Sequence, residues 1–139
     1  WKKYWFDYIE AFDKSTKVMP DSVVTVYIGR HAIELGLKYL IMVKKGSVVK
    51  SHGLKKLYDE FDSVYKIQEQ YMEWVDSFCE LYCKYIEGDN PEYFRFLEYR
   101  GNASFAVNRL DIRWLCYNLS LIILKLLHFS GLEDEYNNN

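Results

Sequence analysis

Gly29-Arg30-His31-Ala32-Ile33-Glu34-Leu35-Gly36-Leu37-Lys38-Tyr39-Leu40-Ile41 is the stretch that decides the fold. Ile33, Leu35, Leu37, Leu40, Ile41 and Met42 set apolar side chains almost all the way round a helix, and such a helix must be surrounded by other helices. Its polar residues are few. His31, Glu34 and Lys38 stand at i, i+3 and i+7, which predicts one narrow stripe, with Glu34 preceding Lys38 in the favourable i,i+4 order. A charged stripe on a central helix either pairs within the protein or faces a cleft. Gly29 and Gly36 each cost about 1 kcal/mol relative to Ala inside a helix. Close approach of another helix is the expected reason for keeping them.

Upstream, Trp1, Tyr4, Trp5, Tyr8, Ile9 and Phe12 recur at helical spacing opposite Lys2, Lys3, Asp7 and Glu10, so a first amphipathic helix is expected to end in the break Ser15 to Pro20. Asp21 or Ser22 caps the central helix, which runs to about Lys45 and stops at Gly46. Downstream, Leu54, Leu57, Tyr58 and Phe61 mark a brief helix of two turns. Asp62 or Ser63 then begins a long one, with Val64, Ile67, Tyr71, Trp74, Val75, Phe78, Leu81, Tyr82 and Tyr85 in a near-heptad stripe up to Gly88. Asn90-Pro91-Glu92 opens an irregular segment with a short helical start. Asn108 caps the last helix, with Asp111 at N3, and that helix passes Trp114, Leu115, Leu119, Ile122, Ile123, Leu126 and Leu127 to reach Gly131. The tail from Glu133 to Asn139 reads as frayed. The expectation is a single all-α domain over residues 1–139, an up-down helical bundle of four long helices plus one short helix.

Half the residues are apolar and 18% are aromatic, so the chain has ample material for a core and disorder is excluded. The formal net charge of -2 supplies no whole-domain basic field, so any nucleic-acid contact must come from a local patch. Three cysteines, Cys79, Cys83 and Cys116, make no disulfide framework and suit a reducing, cytoplasmic setting. Cys79 and Cys83 share a helix face, but two more ligands would be needed for zinc, so neither a metal nor a cofactor is expected. The most hydrophobic run, Leu119 to Phe129, is interrupted by Ser120, Lys125 and His128 and is too short to span a bilayer, so no membrane is expected as a partner. No signal-peptide pattern, phosphate-binding glycine loop, nucleophile elbow, HExxH or EF-hand loop is present.

Two blocks taken together carry a family resemblance. Tyr27-x-x-x-His31-x-x-Glu34-Leu35-x-Leu37-Lys38-x-Leu40-Ile41, followed by Ser51-His52-x-Leu54-x-x-Leu57-Tyr58, resembles the HEPN superfamily of small helical bundles in bacterial defence and toxin-antitoxin systems. The resemblance covers about Val24 to Phe61, with a looser likeness over Tyr93 to Ile123 through Phe96-Leu97-Glu98-Tyr99-Arg100. It implies a homodimer and, in active members, metal-independent RNA cleavage by an Arg-x4-6-His motif near the start of the last helix. This chain departs from that motif, because no histidine stands at that spacing after Arg95, Arg100, Arg109 or Arg113.

The expected function is therefore a non-catalytic or degenerate HEPN-like module that binds RNA, a nucleotide or a partner protein. Its candidate cleft comprises His31, Glu34, Lys38, His52, Lys55, Arg95 and Arg100, with no catalytic residue assigned. One alternative is a ribonuclease using a displaced pair, His31 or His52 with Arg95 or Arg100. Another is a purely structural helical subunit, in which His31 is a satisfied core histidine, Glu34 and Lys38 set register, and Lys55 is simply solvated.

Overall fold

The structure is a computed structural model and describes residues 1–68, 73–88 and 111–138. Among the described residues the only regular structure is helical, as the all-α reading expects. Helix α1 spans Lys2–Val18 and α2 spans Val23–Lys45. Helix α1 therefore runs through Ser15 and beyond it, past the point where the apolar pattern stops. Ser22 caps α2 by accepting a hydrogen bond from the Val24 N–H at 3.1 Å, and Gly46 ends it in the left-handed conformation at φ 77°. That conformation is one glycine adopts without a Cβ penalty.

Helix α2 is the centre of the molecule and packs against α1, against α3 (Leu54–Val64) and against α5 (Ile112–Ser130). Val26, Ala32, Ile33, Leu37, Leu40 and Ile41 are all buried on it, so the surrounded helix predicted from the sequence is found. The two glycines lie where α1 comes closest. A Cβ placed on Gly29 would sit 2.5 Å from the Phe12 ring, and one on Gly36 would sit 2.5 Å from the Trp5 indole. Phe12 and Trp5 are seven residues apart, as are the glycines, and the order is reversed between the helices. Helices α1 and α2 are therefore antiparallel and joined by two rings seated in two notches.

The stripe from Asp62 to Gly88 does not form one long helix. Asp62 and Ser63 belong to the last turn of α3, which makes three turns rather than two, and a separate α4 begins at Glu73. The anchoring of Tyr65 accounts for the break after Val64. Its ring stacks on Phe61 at 4.6 Å and its hydroxyl donates to the Leu40 carbonyl at 2.8 Å, holding this turn to α2. Lys66 then takes a left-handed φ of 54°, which a continuing helix does not permit. Helix α4 covers Glu73–Leu81 and widens into a π-helical segment, Tyr82–Glu87. The Gly88 N–H reaches back to the Cys83 carbonyl at 2.9 Å, and Gly88 closes the segment as expected.

The last long helix also starts differently from the expectation. Asp111 is its cap rather than its N3 residue, and its Oδ1 accepts from the Trp114 N–H at 3.0 Å. An aspartate one residue before the apolar run is the better cap because its carboxylate meets the N3 amide directly. Asn108 and the segment from Asn90 lie outside the described residues. Helix α5 has 19 residues, longer than the run from Leu119 to Phe129, and is long and apolar enough to cross a bilayer. More than half of it is buried within the bundle. The tail is not frayed at its start. A short helix α6, Glu133–Asn137, sets the Tyr136 ring edge-on against Phe6 at 5.2 Å.

Replacing Gly36 by Ala is expected to lower stability, although alanine is the better helix former by about 1 kcal/mol. The added methyl group meets a fully buried indole that has no room to retreat, and overpacking of this kind costs about 1–3 kcal/mol. Urea denaturation of Gly36→Ala beside Val43→Ala, an exposed site on the same helix, checks the sign.

Candidate functional site

Arg30, Lys38, His52 and two carboxylates converge where α2, the loop before α3 and the end of the π-helical segment meet. Arg30, Glu34 and Lys38 are one turn apart on α2, so they form the polar stripe of that helix. Glu34 is the hub. Its Oε2 accepts from Lys38 Nζ at 2.8 Å and contacts His52 Nδ1 at 2.8 Å, while its Oε1 accepts from Arg30 Nη1. Lys38 Nζ and His52 Nδ1 are 3.0 Å apart. Arg30 also grips Glu87 in a two-point contact, Nε to Oε2 at 3.1 Å and Nη2 to Oε1 at 2.7 Å. Its Nη2 donates in addition to the His52 carbonyl at 2.8 Å.

The charges here are sealed rather than displayed. Arg30, Glu34 and Glu87 are buried, and unpaired charges at such depth would cost several kcal/mol each. Burial by itself would raise the Glu34 carboxyl, but the bonds from Lys38 and His52 and the charge of Arg30 outweigh it and hold the group down at about 2. Burial would likewise depress the Arg30 guanidinium, and Glu87 and Glu34 reverse that and push it up. His52 forms the open edge, with its side chain 66% exposed.

The expected cleft is therefore only partly assembled. Glu34, Lys38 and His52 come together, and with them the two blocks of the family resemblance meet in one cluster. His31 does not join them. Its ring stacks on Tyr27 at 5.7 Å and meets Tyr8 edge-on at 4.8 Å, on the side of α2 that faces α1. The i, i+3 step turns it to one side of Glu34, and the true stripe is the i−4, i, i+4 set from Arg30 to Lys38. Lys55 lies on α3 and pairs with Asp59 at 2.9 Å along its own exposed face. Arg95 and Arg100 lie outside the described residues.

Arg30 and Glu87 were not among the sequence candidates. Arg30 carried a signal, because it precedes Glu34 by four residues on a helix that must be buried. Glu87 carried none, since it is 57 residues from Arg30. A second sealed cluster was also missed. Lys125 is fully buried on α5 and donates to Tyr58 Oη at 2.8 Å, Asp62 Oδ1 at 2.7 Å and Asp76 Oδ1 at 2.9 Å. Its ammonium also lies 4.0 Å from the Tyr58 ring centroid. All three ammonium donors are used, so this group joins α3, α4 and α5 and is closed to a ligand. Asn118, which begins a sequon, is buried with its amide donating to the Trp114 carbonyl at 2.9 Å, so it presents no glycan acceptor. Among the described residues no group of three or more metal-ligating side chains occurs.

Glu34 makes stability depend on pH in a definite direction. Its folded-state value lies below the ordinary 4.5, so its contribution is present above about pH 4.5 and is lost as pH falls toward 2. The full shift corresponds to roughly 3 kcal/mol. Urea titrations of wild type and Glu34→Gln between these limits should show a shallower acid loss in the variant, together with a lower plateau near neutrality because Arg30 and Lys38 lose their charged partner. Comparison with protein families, with characterised proteins and with solved structures gives no match for this chain.

Proposed function

We propose that this chain is a non-catalytic HEPN-like module of a bacterial defence or toxin-antitoxin system, cytoplasmic and dimeric, that binds RNA, a nucleotide or a partner protein. The contact between Glu34 and His52 carries the reading. The helix block and the loop block through which the sequence resembles that superfamily share one polar cluster, with His52 Nδ1 2.8 Å from Glu34 Oε2. An up-down arrangement of long helices goes with this reading, and the antiparallel pairing of α1 with α2 suits it.

A binding role is favoured over catalysis by how the side chains are committed. His52 Nδ1 lies within hydrogen-bond distance of both Glu34 and Lys38, and four of the five N–H donors of the Arg30 guanidinium go to two carboxylates and a carbonyl. Neither is arranged as a free acid-base pair facing a substrate. His31, the other histidine of the ribonuclease alternative, sits among the aromatic rings between α1 and α2.

Support for a dimer comes from the outer face of α5. Trp114, Tyr117, Leu121 and Leu124 follow a 3-4-3 spacing along it, and three of them are more than 40% exposed. That spacing is the seam of a helix pair, in which apolar side chains of one helix fill the gaps of another. Trp74 extends the apolar face, its indole N–H donating to Asn118 Oδ1 at 3.1 Å. Aromatic side chains of this kind are enriched at interface centres.

Light scattering over a wide concentration range tests the proposal together with incubation of the protein with mixed RNA in a chelator. The expected outcome is a dimer that Tyr117→Glu converts to a monomer, with the RNA left intact. A wild-type monomer at every concentration would remove the dimer, and RNA cleavage abolished by His52→Ala would replace the binding module with an enzyme.

A further inference from the structure

Three atoms of the polar cluster form a triangle. Glu34 Oε2 is 2.8 Å from both Lys38 Nζ and His52 Nδ1, and those two nitrogens are 3.0 Å apart. Every edge has the length of a hydrogen bond, yet the three cannot all be hydrogen bonds at once. An ammonium has donors and no acceptor, an ionised carboxylate has acceptors and no donor, and a ring nitrogen is one or the other. A bare Nδ1 accepts from Lys38 and turns its lone pair past Glu34. A protonated Nδ1 donates to Glu34 and turns its N–H toward the Lys38 charge.

We propose that His52 is a proton-driven switch: bare, its Nδ1 accepts from Lys38, and on protonation of the ring it donates to Glu34 and releases Lys38 to solvent. The switch does not depend on the HEPN-like reading.

Charge balance sets its direction. With a neutral ring, Arg30 and Lys38 meet Glu34 and Glu87, two charges of each sign. Arg30 offsets the Glu34 charge from the far oxygen, so the nearby ammonium decides the neutral ring and leaves Nδ1 bare. A proton added at the ring gives two carboxylates a third cation. Arg30 is held by Glu87, Glu34 and the His52 carbonyl, and it stays. Lys38 is joined to Glu34 and the ring and is less deeply buried than Arg30, so it is the cation that leaves.

The other charged groups around the ring are Lys50 in the same loop and, along the groove that starts at Gly53, Lys55, Lys56 and Asp59 on α3 with Glu80, Lys84 and Glu87 opposite. Lys55 is paired with Asp59, and Glu87 reaches His52 through Arg30. Glu34 itself is held at about 2 and stays ionised between about pH 5 and 8, the range in which histidine changes charge. Because the His52 carbonyl is tied to Arg30 Nη2 at 2.8 Å, the backbone keeps its place and the Lys38 side chain moves. Acidification therefore delivers a positive charge to the surface at the open edge of the cluster.

The test is nitrogen NMR of the His52 ring and of the lysine ammonium groups in the full chain, between about pH 8 and 5. At the alkaline end the wild type is expected to carry its ring proton on Nε2, with Nδ1 bare. Lys38→Met removes the ammonium and should shift that proton to Nδ1. On acidification, water exchange of the Lys38 ammonium should rise relative to that of Lys125, which is fully buried and serves as the reference at each pH. His52→Gln, which cannot take up the proton, should abolish the rise. A neutral wild-type ring protonated on Nδ1 would overturn the proposal. So would a Lys38-to-Lys125 exchange ratio that stays constant across the range.

Discussion

A carboxylate on the innermost helix sets the terms for everything around it. Glu34 lies buried within the bundle, where an uncompensated carboxylate would be costly. Arg30 and Lys38 meet it from the turns on either side, and His52 meets it from the loop that follows α2. That loop is thereby held against the helix it has just left, which aims α3 back across the core. Arg30 passes the constraint on to Glu87 and so fixes where the π-helical segment ends. One buried charge thus orders a loop, a helix start and a helix end.

Lys125 solves the same problem with the signs reversed. A single ammonium is surrounded by two carboxylates and a phenol, and burial raises the Asp62 carboxyl even with Lys125 beside it. Both clusters join elements distant in the chain, and the Lys125 ammonium spends all three of its donors internally. Breaking one partner of such a group costs far more than the group contributes to net stability. They differ at one edge, because His52 opens the Glu34 cluster to solvent while Lys125 has no exposed member.

The central helix, its glycine stop and its two close-approach glycines were legible because each follows from local chemistry. Apolar residues in every direction require neighbours on every side, and Gly29 and Gly36 have no good reason to sit in a helix unless something presses against them. The meeting of Glu34, Lys38 and His52 was legible through the paired blocks. His31 was misplaced because three residues and four residues both count as neighbours on a helix, and only the packing of α1 decides which side each takes. Glu87 and the partners of Lys125 were invisible because nothing in a linear pattern joins residues 49 to 67 positions apart. The division of the Asp62 to Gly88 stripe was hidden for a related reason. Its apolar period continues while Tyr65, bonded to a carbonyl on α2, turns the backbone away.

The ring-in-notch contacts between α1 and α2 have a mechanical consequence. Two matched spacings of seven residues act like the teeth of a key, and sliding α1 by one turn would drive Trp5 toward Ile33 or Leu40 instead of Gly36. Axial slippage is therefore blocked in both directions, and the pair moves as a single rigid beam. A displacement of the loop at His52 can then be accommodated by α3 and the π-helical segment, but not by the two helices that support them.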